Sequence, residues 1–325
     1  MIIPIFGRDN LALTVMVPWD CENNCEFCPS KKLYQEKKGC LEAVKEKMRY
    51  VFNRLNAPIR DVVFTGGEPT ENVKELAELI RLVPDDKNVY INTTLPEKNA
   101  IDFAAMVNKE PKIKGINISR HADHPGNENF HNVIPDYGIK LLIKKPVRIN
   151  CVLKNQNVMR VVERWREMGV ELSLRKDYTK EMTREDLHFP YDQVVTELLY
   201  RGFRYHSSSR CHVCDTVKFE KNGMIVAYHK GLQKSSIRTP VALEINDLII
   251  DQTGKLMYDW EDSSDAVMLQ VQRYLERRPV EKNEELTLGN NRYTCGGTDL
   301  SGRCGGYSGT SVCGGGIKRT CGGGC

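Results

Sequence analysis

Three cysteines near the start of the chain have the types and spacing to hold a metal. In the segment WDCENNCEFCPS at positions 19–30, Cys21, Cys25 and Cys28 stand at C-x3-C-x2-C spacing, with Phe27 just before the last. Thiolates so spaced suit soft metals. A structural zinc site is normally closed by four protein ligands, and no C-x2-C or H-x3-H partner follows within about thirty residues, which argues against zinc. Three thiolates do leave one iron of a [4Fe-4S] cube open, and an open iron can bind a substrate or a cofactor.

The other cysteines fall into separate groups. Of twelve in all, Cys40 and Cys151 stand alone, Cys211 and Cys214 form an isolated C-x2-C, and Cys295, Cys304, Cys313, Cys321 and Cys325 crowd the end. The final segment reads CGGTDLSGR, CGGYSGTSV, CGGGIKRT, CGGGC, a Cys-Gly-Gly unit repeating about every nine residues and then tightening. With so much glycine and so little apolar surface it cannot form a core, and it is expected to be mobile unless something binds it. A flexible chain of about thirty residues reaches ~30 Å, comparable with the width of a barrel domain. The loop SRHADHPGNENFH (119–131) carries His121, His124 and His131 beside two acids. It reads either as a metal site or, preferably, as a solvated loop at a substrate mouth.

These groups need a scaffold. Hydrophobic residues make up 40% and charged residues 28% of the 325, with a net charge of +4, values of an ordinary globular chain. So small a charge does not argue for nucleic acid. The start, MIIPIFGRDN, breaks at Arg8 and Asp9, and no stretch of about 18 apolar residues appears. A cytoplasmic protein is expected, with no membrane or nucleic-acid partner, whose cysteines serve as metal ligands or reactive thiols rather than disulfides. Strand-like runs at 11–18, 61–67, 88–94, 113–119, 146–153 and 170–175 alternate with helix-like stretches at 40–55, 72–83, 100–107 and 158–169. The crossover at 120–138 is polar, with a helical reading only in its second half. Apolar strands each followed by a helix predict an α/β fold, a parallel sheet rolled into a partial (β/α)6 barrel over residues 1–175. Residues 176–285 read as an α+β extension capping the barrel mouth. It holds a helix at 194–202, hairpins turning at Asn222-Gly223 and Thr253-Gly254, and a closing helix at 265–278. Residues 286–325 are the Cys/Gly-rich tail.

The cysteine triplet after the first strand, with Phe27 before its last member, and Gly66-Gly67-Glu68-Pro69 after the second together resemble the signature of the radical SAM superfamily. The resemblance is close over about residues 10–175. It implies a [4Fe-4S] cluster on Cys21, Cys25 and Cys28 whose open iron is chelated by the amino and carboxylate groups of S-adenosylmethionine. It places Phe27, Gly66, Gly67, Glu68 and Pro69 at the cofactor. The glycines would allow close backbone approach to the ligand, and exposed backbone with the carboxylate would hold the methionyl ammonium. Relatives such as the molybdenum-cofactor cyclase, and the rule that barrel sites gather at strand C-termini, add Asn92, Thr93, Ser119, Asn150 and Arg175 as cofactor contacts.

Cys211 and Cys214 sit where radical SAM peptide maturases carry an extra cysteine-rich domain, although further cysteines within the next twenty or so residues are absent. They stand as candidate catalytic thiols, as ligands of an auxiliary iron–sulfur cluster, or as thiols without a role. The tail reads as a source of cluster ligands, as an arm shuttling thiols or metal, as a segment resembling a fused precursor peptide, or as an appendage without catalytic consequence. Three functions are expected in order: radical modification of a peptide or protein, perhaps the tail itself; action on a small molecule such as a nucleotide or amino-acid derivative, the tail binding metal; and a non-catalytic iron–sulfur protein. An electron donor such as flavodoxin or ferredoxin is the expected partner.

Overall fold

Through the first half of the chain short apolar runs alternate with amphipathic stretches, and the computed structural model turns that alternation into strands and helices. The structure describes residues 3–6, 11–23, 25, 28, 30–121, 132–153, 158–176, 189–210, 215–229, 236–238, 242–260 and 264–277. In chain order come β1 (Ile3–Phe6), β2 (Leu11–Val17), α1 (Lys31–Glu36), α2 (Leu41–Arg54), β3 (Ile59–Gly66), α3 (Val73–Arg81), β4 (Asn88–Thr93) and α4 (Ala100–Lys109). Next are β5 (Ile113–Ser119), α5 (Asp136–Leu142), β6 (Val147–Leu153), α6 (Val158–Arg166), β7 (Glu171–Lys176) and α7 (Phe189–Tyr200). The remainder is β8 (Arg204–Arg210), β9 (Asp215–Lys221), β10 (Met224–His229), β11 (Ser236–Arg238), β12 (Ala242–Ile245), β13 (Asp247–Ile250), β14 (Leu256–Met257) and α8 (Asp265–Arg277).

An α/β architecture results, with β2 to β7 paired in chain order and all parallel. Alternate residues of each strand face opposite sides. On one side Leu13, Val15, Phe64, Ile91, Ile116 and Ile149 join a continuous apolar core with Met48 of α2, Leu79 of α3, Phe103 of α4 and Trp165 of α6. Each such side chain, fully buried, stabilises the fold by roughly 1.5–3 kcal/mol. Helix starts use local donors and acceptors: Asn72 accepts from the Glu75 backbone N–H at 3.2 Å to cap α3.

The segment beyond residue 176 continues the same sheet at both edges, giving among the described residues eleven strands in the order β14-β13-β2-β3-β4-β5-β6-β7-β10-β9-β8. β10 adds in parallel to β7, and β13 in parallel to β2. Both expected hairpins form, β9 with β10 and β13 with β14. The two central residues of the first turn, Asn222 at φ 52° and Gly223 at φ 79°, have the positive φ of a tight hairpin turn. β1, for which the sequence offered no strand signal, pairs in parallel with β12 and completes a separate three-stranded sheet with β11. In the polar crossover the helix begins only at Asp136. Among the described residues no helix is long and apolar enough to cross a membrane.

Candidate functional site

The cysteine triplet lies on the loop leaving the C-terminal end of β2, beside the turn leaving β3. Close packing of backbone on backbone holds the two together. A Cβ on Gly67 would stand 2.2 Å from the Trp19 carbonyl oxygen, and one on Gly66 2.2 Å from the Tyr34 hydroxyl. Gly66 also has φ +110°, a conformation that side chains resist. Glycine is needed here so that the loop and α1 can lie against β3, and the expected approach to a ligand is in the first instance an approach by the chain itself. Three hydrogen bonds fix the contact. Trp19 Nε1 donates to the Glu68 carbonyl at 2.7 Å, Glu68 N–H to the Asp20 carbonyl at 3.3 Å, and Tyr34 Oη to the Val17 carbonyl at 2.6 Å.

Glu68 is 1% exposed, and five donors occupy its carboxylate. Oε1 accepts from Thr70 N–H, Thr70 Oγ1 and Thr93 Oγ1; Oε2 accepts from Thr94 N–H and Thr94 Oγ1, each at 2.7 Å. A carboxylate has about four lone-pair sites, so Glu68 as placed is spent on tying the end of β3 to the end of β4. To hold a ligand's ammonium it would have to exchange one of these donors. Thr93 is committed to the same lock: it is buried, and its Oγ1 also accepts from the Leu95 N–H at 2.8 Å. Pro69 is buried at the start of the short 3₁₀ turn after Glu68.

Cys21, Cys25 and Cys28 are half-buried free thiols. Burial pushes Cys21 up to about 12, although hydrogen bonding from Asn23 pulls the other way. Cys25 is pushed up to about 11, by burial first and then by Cys28. Lys31 offsets this at Cys25 only in small part, and the positive charge that thiolates here would need is what a bound metal supplies. Among the described residues no group of three or more His, Cys, Asp or Glu is gathered into a metal cage. Glu68, the nearby carboxylate, has no oxygen to spare. By number and softness the three thiols suit an iron–sulfur cube with three protein ligands rather than a closed four-ligand zinc site, and as placed they are not drawn together around a single ion.

Facing away from the helix-covered core, the inner side of β4 to β7 carries a run of polar residues. Asn92 Oδ1 accepts from Asn117 Nδ2 at 2.7 Å, and Asn92 Nδ2 donates to Thr65 Oγ1 at 3.3 Å. Ser119 is opposite Asn150, and Asn150 opposite Ser173. Asn117 Oδ1, Asn150 Oδ1 and Ser173 Oγ are buried with no hydrogen-bond partner among the described residues, as expected of a wall that a ligand or water must complete. Arg175 is opposite His229. The His229 imidazole is held well below its ordinary value by burial first, then by Arg175, Arg148 and Lys218, and its Nδ1 lies 3.0 Å from Thr216 Oγ1. Arg148 and Lys218 flank Glu171 at 3.1 and 3.7 Å. Of the residues expected at the cofactor, the structure thus puts Asn92, Ser119, Asn150 and Arg175 on one inner wall and spends Glu68 and Thr93 on the lock. Phe27, Cys211, Cys214, His124, His131 and the tail cysteines lie outside the described residues. His121 is buried, and its Nδ1 accepts from the Val152 N–H at 3.0 Å, so it closes backbone at the end of β6.

Sequence reasoning passed over Asn23, Thr94, Ser173, Arg148 and Lys218. Polar residues at alternate positions within otherwise apolar strands, as in RIN (148–150) and ELSLR (171–175), would have found the wall residues, because barrel interiors are ordinarily packed with branched apolar side chains. No local signal marks Asn23 or Thr94.

Residues 12–114 match the family described as a 4Fe-4S single cluster domain, a span that includes all three cysteines and Gly66–Pro69. No curated protein matches the chain at a significant level. Among solved structures the chain is similar to Streptococcus suis SuiB bound to precursor peptide SuiA, with TM-score 0.53 and 15% identity over 89% of this chain and 68% of that one. For SuiB alone the TM-score is 0.50 at 18% identity, over 86% and 67%. For SuiB bound to S-adenosylmethionine it is 0.43 at 20% identity, over 61% and 45%. The chain therefore spans about two thirds or less of SuiB, and at these identities the likeness is one of fold.

Proposed function

We infer from the cysteine triplet, the GGEP segment, the match to a 4Fe-4S single cluster domain and the parallel pairing of β2 to β7 that the chain is a radical SAM enzyme and that it starts radical modification of a peptide or protein. It is an enzyme of the radical SAM class, with a [4Fe-4S] cluster and S-adenosylmethionine as cofactors. Held by Cys21, Cys25 and Cys28, the cluster with its cofactor would supply one-electron reduction and radical hydrogen abstraction from an unreactive carbon.

One observation carries this reading. Cys21, Cys25 and Cys28 are half-buried free thiols close in sequence, and the carboxylate near Cys21, Glu68, has both oxygens occupied and is not free to act as a fourth ligand. Cys21, Cys25 and Cys28 would hold the cluster. The inner wall of Ser119, Asn150, Ser173 and Arg175 would orient the cofactor and the substrate and keep bulk water from the reacting carbon. A flavodoxin- or ferredoxin-type protein would serve as reductant. The peptide half of the reading is supported by a fold similar to that of SuiB, which was solved with its precursor peptide, and by the Cys-Gly-Gly tail, which resembles a fused precursor peptide. Cys211 and Cys214 would then supply an auxiliary cluster or a reactive thiol.

The charged cluster of Arg148, Glu171 and Lys218 on the inner wall favours a second reading, a small polar substrate such as a nucleotide or amino-acid derivative. Anaerobic reconstitution, reduction with dithionite and mass spectrometry separate the two. The peptide reading expects 5′-deoxyadenosine together with a mass change in the tail or in an added peptide. Deoxyadenosine without any peptide mass change, stimulated by a small molecule, would favour the second. Replacing all three cysteines by alanine should abolish cofactor cleavage, and a triple variant that still cleaves it would sink both.

A further inference from the structure

Asn23 lies between Cys21 and Cys25, and its hydrogen bonds converge on one sulfur. Its backbone N–H donates to Cys21 Sγ at 3.4 Å and its side-chain Nδ2 to the same sulfur at 3.7 Å. The same Nδ2 also donates to Thr94 Oγ1 at 3.4 Å. An amide nitrogen carries two hydrogens, so both bonds form at once and fix which end of the amide faces the sulfur. The donor accounting closes at Thr94, whose single hydroxyl hydrogen goes to Glu68 Oε2, leaving its lone pairs for Asn23.

Thr94 is itself immobile. Its N–H is held by Glu68 and its carbonyl accepts from Arg120 Nη1. Arg120 is 3% exposed, donates to the Ser119 and Ile134 carbonyls at 3.0 and 2.9 Å, and pairs with Asp136 at 3.3 Å. Asn23 is therefore anchored through Thr94 to the ends of β3, β4 and β5 and to the start of α5.

We propose that Asn23 is a positioning residue that fixes Cys21 and raises the reduction potential of the cluster, with Thr94 as its anchor. The proposal rests on the reading that the triplet holds a [4Fe-4S] cluster. Hydrogen bonds to a ligating sulfur stabilise the extra negative charge of the reduced cluster, and such contacts tune its potential. Without the side-chain donor, reduction becomes harder.

The test uses the full-length protein, anaerobically reconstituted, with iron and sulfide assayed and the midpoint read by a redox titration followed by electron paramagnetic resonance. Asn23→Ala keeps the backbone donor and removes the side-chain one. It should retain iron and shift the reduction equilibrium toward the oxidised cluster by about tenfold, one hydrogen bond's worth, or about 59 mV for one electron. Asn23→Asp turns a carboxylate toward the sulfur and should shift the midpoint further in the same direction. If only one variant holds iron, that one decides. Full iron with an unchanged midpoint overturns the proposal, and so does loss of iron from both variants, which would make Asn23 merely structural. A wild-type protein that takes up no [4Fe-4S] cluster would overturn the underlying reading itself.

Discussion

Glu68 shows how one side chain can be committed twice over. Each of its oxygens faces a backbone N–H, that of Thr70 at 3.0 Å and that of Thr94 at 2.7 Å. In Glu68→Gln the amide NH₂ must confront one of these donors in either flip. A buried donor left without an acceptor costs about 1–3 kcal/mol. The urea midpoint of the iron-free variant should fall accordingly with an unchanged slope. An unfolding curve identical to wild type would show that the carboxylate does not lock β3 to β4. Because the lock also positions Thr94, the same variant disturbs the anchor of Asn23, and its effects on stability and on the cluster are coupled rather than additive.

Among the elements, the two hairpins look alike in sequence and differ in what lies beneath them. Gly223 and Gly254 both have positive φ, 79° and 83°. A Cβ on Gly223 would meet nothing within 4 Å, whereas one on Gly254 would stand 2.6 Å from the backbone of Ala43 in α2. The second turn is also drawn in by Asp251 Oδ1, which accepts from Thr253 N–H and Lys255 N–H at 2.8 and 2.9 Å. Gly223→Ala should therefore cost only the left-handed strain, about 1–2 kcal/mol. Gly254→Ala should add an overpacking cost of about 1–3 kcal/mol, since α2 cannot recede without opening the core around Val44 and Met48. Parallel denaturation of the two variants measures the difference. Equal losses would mean that the β13–β14 turn does not bear on α2.

At the scale of the whole molecule, truncation tests the part played by the tail. Ending the chain at about residue 290 removes all five terminal cysteines. If the tail is substrate or a thiol arm, the truncated protein should keep the iron of the first cluster and form less deoxyadenosine when no external substrate is added. If it supplies ligands to a second site, iron content should fall together with catalysis. Unchanged iron and unchanged activity would leave the tail without a part in the reaction. The cut falls beyond α8, the last described element, which ends at Arg277 and joins the core through Met268, Val271 and Leu275.

Periodicity sufficed to place β2 to β7 and α2, α3, α4 and α6, because residues that alternate every two or every three to four positions declare which face is buried. The cysteine triplet and Gly66–Pro69 stood out for a related reason: clustered thiols and tight backbone approach each show as particular residue types at short spacing. What lay beyond local pattern depended on partners distant in the chain. β1 has too few residues to show a period and becomes a strand only because β12 lies alongside it. The return of β13 to β2 and of β10 to β7 is a matter of sheet edges that must be paired. Glu68 and Asn23 look in sequence like a free carboxylate and a loop amide. Thr94, 71 residues from Asn23, makes them parts of one hydrogen-bonded lock, and only folding brings the three together, since a buried donor or acceptor must find its partner wherever the chain has placed it.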